Sequence, residues 1–110
     1  MAAALYQAKA QFFRTLGHPV RIRVLELLGE GPMAVRDLLA QVCVERSSLS
    51  QQLGVLRRAG IVASARQSGS VVYSLAGPDA AALPDAARRI LSELVAGRHE
   101  LLAQLQEPPP

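Results

Sequence analysis

Apolar residues recur three or four positions apart along most of the chain, the spacing that places them on one face of an α-helix. This pattern predicts five helices, over residues 2–16, 20–29, 34–42, 46–60 and 84–105, and a short helical turn over 79–83. The second helix is apolar nearly all round, so we expect it at the centre of the fold. Two runs rich in β-branched residues, 62–66 and 71–75, predict strands joined by a hairpin turn at Gln67–Ser70. The predicted fold is mainly α, with about five helices and a two-stranded β-hairpin.

The fourth predicted helix has two faces of different chemistry. Leu49, Leu53 and Leu56 share an apolar face, while the other face carries hydroxyls, an amide and a cation, from Ser47, Ser48, Gln51 and Arg58. Ser47 or Ser48 is the expected N-cap, and Gly60 the expected end of the helix. Serine, glutamine and arginine are side chains that contact base edges and phosphates in a major groove. We interpret this face as a candidate DNA-binding surface; the alternative is an ordinary solvated helix face.

Charge is distributed unevenly along the chain, although its sum is only +3. From Arg46 to Pro78 the chain has four arginines and no Asp or Glu, and all nine acidic residues lie outside this window. A segment without carboxylates does not repel a polyanion. The distribution therefore supports nucleic-acid binding by this segment.

Length and composition restrict the class of protein. The 110 residues suit one domain, which we place at residues 1–107 with a disordered tail at 108–110. Half of the residues are hydrophobic but only 4% are aromatic, so we expect an aliphatic core. No apolar run approaches the ~20 residues of a membrane span, and there is no recognisable signal peptide. Together with a single cysteine, Cys43, these features predict a cytoplasmic protein.

Several stretches together resemble the ArsR/SmtB family of small bacterial repressors. They are LGHPVRIRVLELL, VRDLLAQV and SSLSQQLGVLRRAGIV, followed by the hairpin that ends in VVYSL, and the match runs from about Phe12 to Leu75. The resemblance implies a winged helix-turn-helix, with the helix-turn-helix at residues 34–60 and the wing at 62–75. It also implies a homodimer that binds double-stranded operator DNA with an inverted repeat, and dimerisation helices at residues 1–16 and 84–105.

The positions that match the family motif give the expected DNA contacts. Gln51 is the candidate for base-edge readout, the serines for base or phosphate contacts, and the wing for the flanking minor groove. The expected DNA-binding residues are Arg46, Ser47, Ser48, Ser50, Gln51, Arg57, Arg58, Arg66, Gln67, Ser68 and Ser70. The rival function is a winged-helix protein-interaction module that does not bind DNA.

The first and last helices carry more apolar surface than one small domain needs for its own core. Tyr6 and Phe13 lie beside the apolar stripe of the first helix and are either core residues or subunit contacts. A second stripe runs along the last helix. The expected dimer-interface residues are Leu5, Tyr6, Phe13, Ile90, Leu94, Leu101 and Leu105.

The metal-binding positions of the resembled family are mostly not ligands here. Ala34 and Arg36 stand where one family site has a Cys-x-Cys pair. At the family's other site Asp85 matches its first ligand, but Ala87 and Leu102 stand where a His and a Glu are needed. We therefore expect no cofactor. The alternative is a nickel- or zinc-responsive regulator that binds the metal weakly through His99 with Glu93 or Glu100.

Catalytic chemistry has little support, because the sequence lacks a Ser/His/Asp set, a glycine-rich phosphate loop and an HExxH motif. We do not expect an enzyme. His18 lies at a helix junction, where a structural or capping role is expected. Cys43 is expected to be a buried packing residue. The alternative is a redox-responsive thiol whose thiolate is favoured by Arg36 and Arg46.

Overall fold

A computed structural model of the chain describes residues 2–106. The elements follow in the order α1 (Ala2–Leu16), α2 (Pro19–Leu28), β1 (Met33–Ala34), α3 (Val35–Val42), α4 (Arg46–Arg58), β2 (Val62–Gln67), β3 (Ser70–Leu75) and α5 (Asp79–Gln106). The predicted mainly α winged helix-turn-helix is confirmed, with α3 and α4 as the helix-turn-helix and β2–β3 as the wing. The tail predicted at 108–110 lies outside the described residues, as do Met1 and Glu107. Within residues 2–106 no helix combines the length and apolarity needed to cross a membrane.

The sheet has one strand more than the sequence pattern predicts. β1 pairs antiparallel with β3, with Met33 opposite Tyr73 and Ala34 opposite Val72, so the strand order is β1-β3-β2. A two-residue strand is too short to show an alternating pattern. The predicted hairpin turn is confirmed: Ser68 and Gly69 have φ of 51° and 80°, the left-handed values that a two-residue hairpin turn requires.

The core lies between α2, α3, α4 and the sheet. Its fully buried side chains are all aliphatic, as predicted: Val24, Leu25, Leu38, Leu49, Leu53 and Leu56. Tyr73 is the one aromatic residue in the buried cluster of the described chain. Helix α2 is central, as predicted, but it is not enclosed on every side, because Ile22 remains 39% exposed.

Helix starts confirm one capping prediction and correct another. At α2, His18 Nδ1 accepts a hydrogen bond from the Val20 amide at 3.1 Å, and Pro19 occupies the first turn. The predicted Ser47 or Ser48 cap of α4 is wrong. The helix begins at Arg46 with Glu45 as N-cap, whose side chain makes no capping hydrogen bond and whose carbonyl accepts the Leu49 amide at 3.0 Å. Both serines therefore lie within the first turn.

The last helix is longer than predicted, because residues 79–83 are its first turn rather than a separate element. Pro84 lies inside α5 and removes one backbone donor, which is why the sequence predicts a helix start there. Packing outweighs that loss: Ala80 contacts the core, and an added Cβ on Gly29, which follows α2, would come 3.3 Å from Ala81 Cβ. The close approach of α2 holds the start of α5 in place.

Candidate nucleic-acid interface

Helix α4 buries one face and presents the opposite face to solvent. Its buried residues are Leu49, Gln52, Leu53 and Leu56. Since an α-helix turns about 100° per residue, the positions directly opposite are Ser47, Gln51, Gly54 and Arg58. We call these four residues the outer face of α4. Of the polar face predicted from the sequence, Ser47, Gln51 and Arg58 lie exposed on this line, whereas Ser48 is half-buried beside it.

The structure places nearly all of the predicted DNA-binding residues at the surface. Ser48 and Ser70 are half-buried. The other nine are exposed: Arg46, Ser47, Ser50, Gln51, Arg57, Arg58, Arg66, Gln67 and Ser68. All eleven residues come from α4 and the wing, which are joined by only a short connection. Their roles in DNA contact stay predictions.

The start of α4 has backbone amides that no side chain caps. Its first turn contains no acidic residue. Unpaired amides and the helix dipole give such an end a partial positive charge. The exposed Arg46 adds a full positive charge, which the exposed carboxylate of the N-cap residue Glu45 offsets. The amides themselves are donors that suit a phosphate.

Arg36 belongs to the same surface, and our sequence prediction missed it. A pocket of about 280 Å³ between the helix-turn-helix and the wing is lined by Ala34, Val35, Arg36, Arg46, Ser70 and Val71. No carboxylate lines it. The ion pairs within residues 2–106 are Arg23–Glu26 and Arg88–Asp85, so neither arginine of the pocket is neutralised by one. The pocket is lined by two arginines and a serine, residue types whose guanidinium and hydroxyl groups donate to phosphate.

The wing projects its own cation at the far end of the sheet. Arg66 pairs across the hairpin with Val71, next to the turn that Gln67, Ser68, Gly69 and Ser70 form. Arg66, Gln67 and Ser68 are exposed. A charged and hydrogen-bonding tip of this kind suits a groove lined by phosphates.

The predicted interface residues of α1 and α5 are uncovered within the chain. Neither helix has a buried residue. The seven side chains are between 53% and 73% exposed: Leu5, Tyr6, Phe13, Ile90, Leu94, Leu101 and Leu105. Tyr6 and Phe13 are therefore not core residues of this chain, and their role as subunit contacts stays a prediction. An apolar surface of this extent marks an interaction site.

The apolar residues of α5 divide into two stripes. Leu91 and Val95 line a groove of about 680 Å³ that also contains Ile22 of α2. The predicted interface residues Ile90 and Leu94 lie on the neighbouring stripe. One stripe thus faces α2, and the other faces away from the chain.

The candidate metal and redox groups do not form a site within one chain. No group of three His, Cys, Asp or Glu residues within residues 2–106 is arranged to hold a metal ion. His99 lies about 120° around the axis of α5 from Glu93 and about 100° from Glu100. The weak nickel or zinc site stays a prediction that needs a second subunit.

Cys43 does not occupy the buried position predicted for it, because it is exposed. It ends α3 with φ 60° and ψ 45°, a left-handed conformation that turns the chain toward α4 and points the residue outward. Its Sγ lies 3.8 Å from the Ala40 carbonyl oxygen. The redox alternative stays a prediction.

Three comparisons with known proteins agree with this architecture. The family model described as a helix-turn-helix domain matches residues 16–65. The HTH-type transcriptional regulator Rv0081 of Mycobacterium tuberculosis is 50% identical over 103 residues, which cover 93% of this chain and 90% of that protein. Its crystal structure superposes with a TM-score of 0.78, at 53% identity, over 86% of this chain and 95% of that one.

Two further solved structures are similar. The transcriptional repressor BigR of Xylella fastidiosa has a TM-score of 0.74 and 37% identity over 81% of this chain and 91% of that one. The homodimeric winged helix-turn-helix domain Mb0332 of Mycobacterium bovis, described as a possible ArsR-family regulator, has a TM-score of 0.74 and 26% identity. It covers 86% of this chain and 87% of that chain.

The fold, the exposed polar face of α4 and these relatives define a winged helix-turn-helix transcriptional regulator that binds DNA. The chain belongs to the ArsR/SmtB family of such regulators, as its sequence motifs predict.

Proposed function

We propose that this protein is a homodimeric repressor that binds an inverted-repeat operator in the cytoplasm and has no enzymatic activity. Each α4 lies in the major groove of one half-site, and each wing reaches the flanking minor groove. The outer face of α4 supports this proposal most directly, since it joins base-reading and phosphate-binding side chains in a segment without acidic residues. The similar protein BigR is itself described as a transcriptional repressor, which supports the sign of regulation.

Phosphate contacts surround the outer face of α4 on two sides. Arg36 and Arg46 at the pocket between helix-turn-helix and wing are suited to one phosphate, and Arg66 at the wing to another. Arg57 and Arg58 lie in the last turn of α4. Such contacts fix the position of the protein on the duplex, whereas Gln51 supplies sequence discrimination.

Dimerisation supplies the two-fold symmetry that an inverted repeat requires. The exposed apolar stripes of α1 and α5 favour a symmetric interface, in which the same patch of each subunit contacts its copy. The relative Mb0332 is described as a homodimer. A dimer, which holds two copies of the recognition helix α4, binds two half-sites far more tightly than a single subunit binds one half-site.

The experiment is selection from random duplex DNA with the full chain, followed by affinity measurements on the selected operator and on an unrelated duplex at equal salt. We expect an imperfect inverted repeat with half-site centres ~10 bp apart, or a multiple of that distance. A protein-interaction module would enrich no sequence and would bind both duplexes equally, which would contradict the proposal.

The same titration tests the proposed absence of a metal cofactor. A tenfold change in operator affinity needs a coupling free energy of ~1.4 kcal/mol between metal and DNA sites. We expect arsenite, zinc, cadmium and nickel to change the operator affinity by less than tenfold. The reason is that the ligand positions are occupied by Ala34, Arg36, Ala87 and Leu102. A tenfold shift that His99→Ala abolishes would identify a metal sensor instead.

A further inference from the structure

A single arginine joins three helices through two hydrogen bonds. Arg21 of α2 donates from Nε to Gln52 Oε1 at 2.7 Å, and from Nη1 to the Thr15 carbonyl oxygen at 2.9 Å. Thr15 lies in the last turn of α1, and Gln52 on the buried face of α4. The guanidinium of Arg21 thus spans the space between the first helix and the recognition helix.

Gln52 is unusual in its surroundings. It is only 7% exposed and is the one buried polar or charged residue within residues 2–106. Its neighbours on the same face of α4 are Leu49, Leu53 and Leu56, where an apolar residue would be expected. A buried amide is costly unless its polar atoms are hydrogen-bonded, so the position of Gln52 depends on Arg21.

The two hydrogen bonds of Arg21, which we call the Arg21 link, also satisfy a backbone carbonyl at the end of α1 that the helix itself leaves without a partner. Carbonyls in the last turn of a helix have no intrahelical donor. At the end of α1, the Arg14 carbonyl accepts from the Gly17 amide at 3.1 Å and the Leu16 carbonyl from the His18 amide at 2.8 Å. The Thr15 carbonyl accepts from Arg21, whose positive charge also suits the negative end of the helix dipole.

We propose that Arg21 is a positioning residue that fixes the orientation of α4 relative to α1. The planar guanidinium holds its donors at fixed angles, so the two bonds define a direction as well as a distance. The leucines of α4 also constrain the helix by close packing, but they form no directional bond. The link therefore sets the angle at which Gln51, next to Gln52 in the helix, is presented to DNA.

This inference rests on the proposed function, since α1 is part of the proposed dimer interface. In a dimer that is held through α1 and α5, the Arg21 link transmits the position of the interface to each recognition helix. The spacing of the two α4 helices then depends on a hydrogen bond rather than on leucine packing alone. Loss of the link should lower discrimination between operator and other DNA more than it lowers general DNA affinity.

The variant for the test is Arg21→Met with Gln52→Leu, which removes both side chains of the buried hydrogen bond, so that no buried side-chain amide is left unpaired. The half-buried Thr15 carbonyl also loses its donor in this variant. We expect it to retain helical circular dichroism and the wild-type mass in sedimentation. The ratio of operator affinity to unrelated-duplex affinity should fall at least tenfold.

Arg21→Lys, which keeps the charge but not the planar guanidinium, should discriminate between operator and unrelated DNA less well than the wild type does. A variant with a lower Tm and an unchanged ratio would show a purely structural role and overturn the inference.

The matched control is Arg23→Met with Glu26→Leu, on the same helix. This pair is an exposed ion pair at 3.3 Å, so its removal should leave the ratio of affinities unchanged. If the control lowers the ratio as much as the Arg21 variant does, the effect does not come from the link.

A second measurement needs no DNA and separates this inference from the proposed function. Cys43 is the only cysteine of the chain, is exposed, and lies three residues before α4. Spin labels on the two copies of Cys43 in the dimer report the distance between the two helix-turn-helix units. We expect a narrow distance distribution in the wild type and a broader one in the Arg21→Met, Gln52→Leu variant. Distance distributions of equal width in the wild type and the variant would overturn the link, even if operator binding is as proposed. A broader distribution in the variant of a protein that shows no operator preference would support the link and refute the proposed function.

Discussion

The guanidinium of Arg58 lies over Gly54, one turn earlier in α4, so that a Cβ added to Gly54 would come 3.2 Å from Arg58 Nη1. Both residues belong to the outer face of α4. A glycine inside a helix costs about 1 kcal/mol relative to alanine. Gly54 thus lowers the stability of α4 and leaves room for the side chain of Arg58.

Gly54→Ala should therefore stabilise the protein, but by less than the full helix propensity difference, because the new methyl group displaces Arg58. In an Arg58→Ala background the methyl group has no such neighbour, so the gain should approach about 1 kcal/mol. Urea unfolding of the four members of this double-mutant cycle measures the difference. Equal gains in both backgrounds would mean that Arg58 does not pack over Gly54 in solution.

Gln51→Ala should reduce operator affinity by roughly 1–3 kcal/mol and relax specificity at one position of each half-site. The reason is the place of Gln51 on the outer face of α4, where its amide can form two hydrogen bonds with adenine. Arg66→Ala should instead weaken binding to all duplexes alike and reduce the salt slope. Titrations on operator variants at several salt concentrations distinguish the two patterns; a uniform loss for Gln51→Ala would assign it to the phosphate backbone.

Arg36→Ala should behave like Arg66→Ala, because Arg36 lines the pocket between helix-turn-helix and wing together with Arg46. We expect weaker binding to every duplex and a salt slope reduced by about 1. Arg88→Ala is the control: Arg88 lies on α5 and pairs with Asp85 at 3.3 Å. If both variants bind like the wild type, the pocket does not receive a phosphate.

Leu101→Asp should split the dimer, because it would place an unpaired carboxylate in an apolar interface. Ala103→Asp adds the same charge about 200° further around α5 and should leave the dimer intact. Sedimentation at micromolar concentration gives the mass of each variant, and operator affinity should fall with the mass. A wild-type mass of one chain, or dissociation by the Ala103 variant alone, would contradict the proposed interface.

Cys43→Gly should stabilise the protein by about 0.5–1 kcal/mol. A left-handed conformation costs a residue with a Cβ roughly 1–2 kcal/mol, and glycine avoids that cost but loses about 0.5–1 kcal/mol of backbone entropy. Cys43→Ala keeps the Cβ and should be close to neutral, whereas Cys43→Val should be destabilising. Thermal or urea unfolding provides the values; a gain for the alanine variant equal to that for glycine would exclude backbone strain as the cause.

Local signals were sufficient to predict most elements but not the contacts between distant segments. The bounds of α1, the His18 cap and the Ser68–Gly69 turn depend on neighbouring residues, and all were predicted. The continuation of α5 through Pro84 depends on packing against α2, which no local pattern encodes. The same is true of Arg36, because the pairing of Ala34 with Val72 brings the start of α3 beside the wing.

The candidate site shows the same division between local and distant information. The polar face of α4 follows from its own periodicity. The Arg21–Gln52 hydrogen bond joins residues 31 positions apart, which no local pattern can predict. Because Gln52 directly follows Gln51, the sequence alone does not show whether its amide is buried or contacts DNA. The exposure of Cys43 depends on its left-handed backbone conformation, which the sequence pattern does not predict.

The two outer helices, of 15 and 28 residues, have no fully buried side chain within their own chain, although Leu16 and Ala80 at their inner ends pack against the core. In the proposed dimer, the exposed stretches of both helices are stabilised by the second copy, so folding and assembly are coupled by mass action. The thermal midpoint should then rise with protein concentration. In a cell, the number of copies made would set the fraction of chains able to occupy an operator, so synthesis rate alone gives this regulator a threshold, even without a bound inducer.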